Sequence, residues 1–383
     1  MAKHLVQRGH QVSLMLIADH RKVGIVESEW DGVHIIETPD LLWGRLRSGW
    51  DLWDLVNRIM YLARDKNPYD IIHCFETRPA TIYPALNYLK HHKIPLVTDW
   101  IDWFGRGGLI KILRPKWYQF LFGPLETYYE EAFRRRADGL TVISTALANR
   151  AIDLGVSKEK ICYIPGGTFP ELFQYRTLEE CRQKIGISPV IPVIGFCSDS
   201  FIDTELVFGA LANVVKKYPS VKLLVTGSPG KNILDQALKF GVVDNLYLTG
   251  YVPFEELPWY LGCADLFILP FPNEVYNLGR WPNKMGDYLS LGRPTVANPV
   301  GDIKTLFENN DVGILADFHP DDFSKKIIYL LENQEVSVRL GSKARKVATT
   351  VYDWKILIRK LENFYFDTLK EFEDKQIYVK RNG

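Results

Sequence analysis

The sequence predicts an α/β protein built from two successive parallel-sheet domains. Three observations carry that prediction. Apolar runs of strand length alternate with amphipathic stretches of helix length as far as Ile161–Pro165, and the alternation resumes at Ile191–Phe196. The length of 383 residues is closer to two domains than to one. Residues 264–301 set two apolar runs around a polar segment of acids, bases and glycines, which is the pattern of a strand, loop, helix and strand in a parallel unit.

Ala2–Arg8, followed by Gly9–His10, reads as the end of an amphipathic helix that enters a strand at Gln11–Ala18. A doubly wound domain normally opens on a strand and a glycine-containing turn, so a first strand is expected to be missing ahead of this helix. Residues 23–37 supply two extended pieces separated by the Asp31–Gly32 turn. An aromatic segment with Trp43, Leu46, Trp50 and Trp53 ends as a helix across Leu52–Arg64, and Asn67–Pro68 breaks it before the strand Asp70–Cys74. Thr77–Leu89 is the next helix and Pro95–Thr98 the next strand.

Asp99–Gly108, DWIDWFGRGG, then combines acids, tryptophans and glycines. Such a loop lines a cleft, with Asp99 or Asp102 binding hydroxyls or accepting a proton, or it is a flexible loop whose tryptophans cover the core. Leu109–Phe122 mixes Lys111, Arg114 and Lys116 with apolar and aromatic residues. That composition suits the headgroup zone of a bilayer, and equally an acceptor cleft or packing on the next helix. A helix at Glu126–Ala137, a strand at Gly139–Ser144, a helix at Thr145–Leu154 and the strand Ile161–Pro165 complete the first domain. Gly166–Gly167 makes a polar turn near the boundary, and residues 174–189 carry a helix and a linker.

The second domain begins with the strand Ile191–Phe196. Helices are expected at Glu205–Tyr218, Lys231–Phe240 and Phe254–Leu261, and strands at Val221–Thr226 and Leu246–Thr249. Ala264–Pro270 reads as a buried strand, because Leu266–Leu269 is a continuous apolar run ended by a proline that lacks a ladder donor. Asn283 or Pro282 opens a helix through Lys284–Leu291, with Met285, Tyr288 and Leu289 inward and Gly292 closing it. Pro294–Ala297 is the following strand. Lys304–Phe307 and Gly313–Leu315 read as turn and edge elements, Phe323–Leu331, Glu335–Val347 and Trp354–Lys370 as helices, and the last residues as a loosely held tail. The expected domains are 1–170, 171–353 and a terminal helix with its tail at 354–383.

Glu274, Asn277, Arg280, Lys284 and Asp287 crowd into the polar segment between two buried strands. Carboxylates accept hydrogen bonds from sugar hydroxyls and the cations meet phosphate, so the set fits a ligand that is both polyhydroxylic and anionic. Taken one at a time, each also fits a solvated loop. The balance of 47 basic and 46 acidic side chains gives no general reason to expect nucleic acid. The cysteines at 74, 162, 181, 197 and 263 form no short-spaced pair, which argues against a disulfide framework and for a reducing compartment. No metal-ligand spacing is present, no apolar run has the length to span a bilayer, and the start does not read as a signal peptide. The expected location is cytoplasmic, at the inner face of the membrane if 109–122 touches it.

The motifs RGHQV near the start, ADGLTVIS at 137–144, KICYIPGG at 160–167 with Phe173 beyond it, VKLLVTGSPG at 221–230, LYLTGYVPFEELPWYLGCADLFILP at 246–270 and PNKMGDYLSLGRPTVA at 282–297 give the chain a resemblance. Over nearly its whole length it resembles the retaining glycosyltransferases of family 4, with the GT-B fold. The resemblance implies two Rossmann-like domains facing a cleft and a C-terminal helix that crosses back to the first. It implies transfer of a sugar from a nucleotide-sugar donor, with retained anomeric configuration and with no metal or other cofactor. It places Asp287 on the ribose hydroxyls, Glu274 on the donor sugar, and the backbone of Val275–Gly279, hence Asn277, Leu278 and Gly279, against sugar and diphosphate. Tyr251 and Val252 would lie by the base, and Asp102 in the region serving the acceptor. Glu274 and Asp102 are thus the catalytic candidates. The acceptor class it suggests is a glycan or a lipid-linked molecule.

Four departures from the family pattern bear on activity. The two acids are separated by a longer spacer, NLGRWPNK, and the second is Asp287 rather than a glutamate. The loop after the 191–196 strand, CSDSFIDTEL, lacks the arginine and lysine that clamp the diphosphate, which leaves Arg280 and Lys284 as the cations at hand. Gly166 replaces the common asparagine, and the first strand with its glycine-rich loop is expected to be missing. The alternative reading is a catalytically impaired glycosyltransferase-like protein that binds a nucleotide or sugar, and the more distant one a different α/β binder of such ligands.

Overall fold

The computed structural model describes residues 1–18, 23–41, 49–198, 203–228, 230 and 232–382. Trp43, Leu46, Pro229, Lys231 and the 199–202 part of the cation-poor loop lie outside the described residues. The chain divides into two compact units: Met1–Pro165 with Leu278–Arg280 and Trp354–Gly383, and Gly166–Asn277 with Trp281–Asp353.

In the first unit α1 (Ala2–Gln7) leads to β1 (Ser13–Ala18), and β2 (Val26–Trp30) and β3 (Val33–Pro39) form a hairpin. Its two turn residues, Asp31 and Gly32, both have positive φ, 51° and 76°, as a tight two-residue hairpin requires. These strands make a sheet in the order β1-β3-β2. Next come α2 (Leu52–Arg64), β4 (Ile72–Phe75), α3 (Pro79–Leu89), β5 (Leu96–Trp100), α4 (Ile110–Leu113), α5 (Lys116–Ala132), β6 (Gly139–Val142), α6 (Thr145–Asp153) and β7 (Ile161–Tyr163). The second sheet is β4-β5-β6-β7, parallel throughout, and among the described residues no strand joins it to the first.

Two sequence expectations for this unit need correction. The segments 109–122 and 126–137 form not two separate elements but a short α4 followed by one long α5 that runs through Pro124. The helix continues because the carbonyl that a proline at 124 leaves unbonded belongs to Phe120, which is open to water. The expected loose tail is also helical, since the terminal helix extends over 29 residues, Trp354–Asn382, with Glu371 and Lys375 paired at 3.6 Å one turn apart.

That terminal helix belongs to the first unit. Ile358 and Leu361 are buried with Leu5, Cys162 and Ile164. Glu362 accepts from Arg8 Nε at 2.9 Å and lies 2.7 Å from His10 Nε2, and Tyr365 Oη is 2.6 Å from His73 Nδ1. A Cβ at Gly139 would stand 2.7 Å from Phe364 Cζ, so the glycine of the ADGLTVIS segment makes room for this helix.

The second unit runs α7 (Leu178–Ile185), β8 (Val193–Cys197), α8 (Thr204–Lys217), β9 (Lys222–Thr226), α9 (Ile233–Lys239), β10 (Leu246–Gly250), α10 (Leu257–Leu261), β11 (Leu266–Leu269), α11 (Val275–Leu278), α12 (Lys284–Leu291), β12 (Thr295–Ala297), α13 (Gly301–Asn310), β13 (Gly313–Leu315), α14 (Pro320–Glu332) and α15 (Gln334–Thr350). Its six strands are all parallel in the order β10-β9-β8-β11-β12-β13, the doubly wound order of nucleotide-binding sheets. Helix α13 replaces the turn expected around Lys304–Phe307. Ile303, Leu306 and Phe307 face inward at helical spacing, while the weak formers Gly301, Asn309 and Asn310 at its ends mask it in the sequence. Among the described residues no helix is long and apolar enough to cross a membrane.

Candidate active site

In the second unit β8 and β11 are neighbours in the sheet, while the chain winds away from them in opposite directions. Ligands of doubly wound sheets bind beyond the carboxyl ends of such a strand pair. Helix α12 is laid across that end by one residue. Tyr288 is fully buried, its ring stacks on Phe267 with centroids 4.0 Å apart and planes 3° apart, and its hydroxyl oxygen accepts from Cys197 N at 2.8 Å. Gly292, with φ 65°, closes the helix as the local sequence predicts, whereas Asn283 ahead of the first turn already has helical backbone and makes no side-chain cap.

Lys284 and Asp287 stand three residues apart on α12 and therefore share a face. The Lys284 ammonium lies 4.7 Å from the centroid of the Phe196 ring, beside the carboxyl end of β8. A cation is thus supplied by α12 at the strand whose own loop, CSDSFIDTEL, carries none. Asp287 presents part of its surface to solvent, yet the atoms packed around it push its carboxyl up to about 7 through desolvation. Among the described residues no hydrogen bond or ion pair compensates it. A carboxylate in that state favours hydroxyl donors brought by a ligand.

The loop after β11 is ordered by its own polar contacts. Phe271 N donates to Asn298 Oδ1 at 2.9 Å, and Asn298 Nδ2 to the Ala316 carbonyl at 2.9 Å. Asn277 is buried and donates through Nδ2 to the Pro272 carbonyl at 2.7 Å, while its Oδ1 has no donor among the described residues. Glu274 is half-buried at the start of α11, and its carbonyl accepts from Asn277 N at 2.9 Å. The longer spacer is held by Trp281, which is buried and stacks on Tyr352 with centroids 4.8 Å apart. A Cβ at Gly166 would come within 2.6 Å of Trp281 Cδ1, so the glycine in place of the family's asparagine is the space this tryptophan occupies. The anchoring roles of Trp281, Tyr288 and Tyr352 were not legible beforehand, because each depends on a partner distant in sequence.

The other candidates fall elsewhere. Tyr251 is exposed and Val252 half-buried, and both follow β10, two strands from β8. Leu278, Gly279 and Arg280 group with the first unit, as does Asp102. Asp102 is half-buried and, with Glu76, Arg78, Glu126, Glu130 and Arg134, lines a cavity of about 10 Å³. Glu130 of α5 anchors the 101–108 loop. It accepts from Trp100 Nε1 at 3.0 Å, from Phe104 N at 2.9 Å and from Gly105 N at 2.5 Å, with Arg150 Nη1 at 3.5 Å. Arg134 is buried against Trp100 at 4.3 Å and donates to Thr77 Oγ1 at 2.7 Å, and its burial lowers it to about 10. The loop is therefore built onto a buried ionic cluster, and the cluster itself went unrecognised in the sequence. Asp99 belongs to β5, where it is buried, accepts from Thr141 Oγ1 and is pushed up to about 7 by desolvation.

Because burial raises Asp287 and Asp99 above their unfolded-state range, they favour the folded state fully below about pH 4, and that contribution is lost as pH rises through about 7. Asp287→Asn is expected to flatten this slope in urea unfolding followed across that range. The gain above neutral pH should be on the order of 1–2 kcal/mol, allowing for the solvent exposure of the side chain.

Comparison with known proteins settles the family. The profile of Glycosyltransferase Family 4 matches residues 1–172, and that of Glycosyl transferases group 1 matches residues 190–333, so the two together span most of the chain. The chain belongs to this glycosyltransferase family. Among curated relatives of the family, D-inositol 3-phosphate glycosyltransferase of Segniliparus rotundus is 25% identical over 186 residues, 46% of this chain and 40% of that protein. This chain thus matches less than half the length of that relative. Among solved structures, sucrose-phosphate synthase from Thermosynechococcus elongatus superimposes with a TM-score of 0.75 at 16% identity, covering 97% of this chain and 92% of that one. Anabaena HepE in complex with UDP-glucose gives 0.64 at 17% identity, covering 89% and 87%. These likenesses show the GT-B fold for this family 4 chain.

Proposed function

We propose that this chain transfers a sugar from a nucleotide-sugar donor to a hydroxyl of a glycan or lipid-linked acceptor, with retention of anomeric configuration. The observation that carries the reading is the face of α12, where the Lys284 ammonium sits beside the carboxyl end of β8 and Asp287 keeps an uncompensated carboxyl one turn on. A cation and a carboxylate so spaced suit a diphosphate and a ribose diol respectively. Family membership and the UDP-glucose bound by the similar Anabaena fold support the same ligand class.

In the reaction the bond from the anomeric carbon to the diphosphate oxygen breaks, and its electron pair leaves with the nucleoside diphosphate. The acceptor oxygen bonds to the same carbon, and its proton passes to a base. For retention in a single displacement, the leaving and entering oxygens share one face of the sugar. Lys284 binds negative charge that grows as the bond breaks, so its contact is stronger in the transition state than in the ground state. Glu274 and Asn277 of the same unit are assigned to the donor sugar, while Arg280 remains a phosphate candidate and Asp102 an acceptor-hydroxyl candidate within the first unit. No metal is assigned. Among the described residues no group of three or more His, Cys, Asp or Glu side chains is placed to hold one.

The test is a panel of nucleotide sugars assayed for nucleoside diphosphate release, together with nucleotide binding by calorimetry. Turnover of at least one donor, with nucleoside diphosphate binding, is the expected result. Binding without turnover would favour the impaired binder, and absence of both would end the proposal.

A further inference from the structure

From Trp103 to Leu125 the sequence contains Arg106, Lys111, Arg114 and Lys116 and no acidic residue. The structure turns this stretch into an outward surface. On α5 Trp117, Phe120 and Leu121, at i, i+3 and i+4, are 62%, 83% and 61% exposed, and Leu113 of α4 beside them is 59% exposed. Leu125, one turn further along the same stripe, is also exposed. The helix is thus inverted relative to ordinary surface helices. Its buried positions are polar: Glu126 and Glu130, which line the ionic cluster, and Thr127, whose hydroxyl donates to the Gly123 carbonyl at 2.9 Å, while its largest apolar side chains face out. Lys111 and Lys116 flank the stripe and are exposed.

We propose that this face of α4 and α5 docks on an anionic lipid surface. Tryptophan and phenylalanine flanked by lysine and arginine suit the interfacial zone of a bilayer, where rings enter the headgroup boundary and cations remain with the phosphates. Each cation near such a surface adds attraction, whereas an isologous pairing of two copies would set this acid-free cationic surface against itself. The charge pattern therefore selects lipid over a second copy. The proposal stands apart from catalysis, because none of these residues belongs to the donor site.

The experiment is flotation of the full chain with phosphatidylcholine vesicles, with and without phosphatidylglycerol. Association is expected only with the anionic vesicles and should weaken as salt is raised. Lys111→Glu with Lys116→Glu should weaken it roughly tenfold or more, consistent with the loss and reversal of two surface cations. Phe120→Ser with Leu121→Ser should abolish it while leaving nucleotide binding unchanged, which separates failure here from failure of the proposed activity. No flotation with anionic vesicles, or equal flotation with neutral ones, would overturn the proposal. So would a concentration-dependent dimer, by sedimentation, that the serine pair dissolves while vesicle binding persists.

Discussion

Replacing Lys284 by alanine should lower kcat/KM for the donor by about 10²–10³-fold, the loss typical of removing one contact to charge that develops in the transition state. The lysine sits on α12 with its ammonium 4.7 Å from the Phe196 ring centroid, and the loop following that strand carries no cation of its own. Affinity for the nucleoside diphosphate product should fall with it, because the product carries the same phosphates. Arg280→Ala provides the comparison: a larger loss there than at Lys284 would move the clamp to the arginine. Unchanged diphosphate affinity in both variants would show that neither holds the phosphates, and the proposed donor site would have to be abandoned.

Glu130→Ala is expected to destabilise the first unit by about 3–5 kcal/mol, the usual cost of removing one partner from a buried ion pair. Its carboxylate meets Trp100 Nε1, the amides of Phe104 and Gly105 and the Arg150 guanidinium, so truncation leaves several buried donors unpaired at once. Urea unfolding followed by tryptophan fluorescence measures the change. Glu130→Gln should lose less, since the amide keeps the volume and one acceptor but no charge for Arg150. A loss below about 1 kcal/mol for the alanine variant would mean that water replaces the carboxylate, and that the cluster is not a closed ionic site.

Much of the framework was legible because its signals are local. The apolar run ended by Pro270 marked β11, Gly292 marked the end of α12, and Asp31–Gly32 marked the hairpin between β2 and β3. Helix α13 was hidden by weak helix formers at its ends, and α5 was divided in the sequence by a proline that the folded helix tolerates. The candidate site was legible as a set of residue types in one stretch, Glu274 to Asp287. It was not legible that Tyr288 would lock α12 to β8 through Cys197, or that Trp281 would occupy the space left by Gly166.

The sequence by itself determined most of the strand and helix framework, which stretch holds the polar residues, and which family motifs they follow. Those properties depend on neighbours a few residues apart. Tertiary structure decided which side chains meet: Lys284 with Phe196, Trp281 with Tyr352, and Glu130 with the 103–105 backbone. It also decided that Asp287 would be desolvated and that the largest apolar side chains of α5 would point outward. The physical reason is that desolvation and electrostatic pairing are set by strand order and helix packing, which bring together residues distant in the chain that no local pattern records.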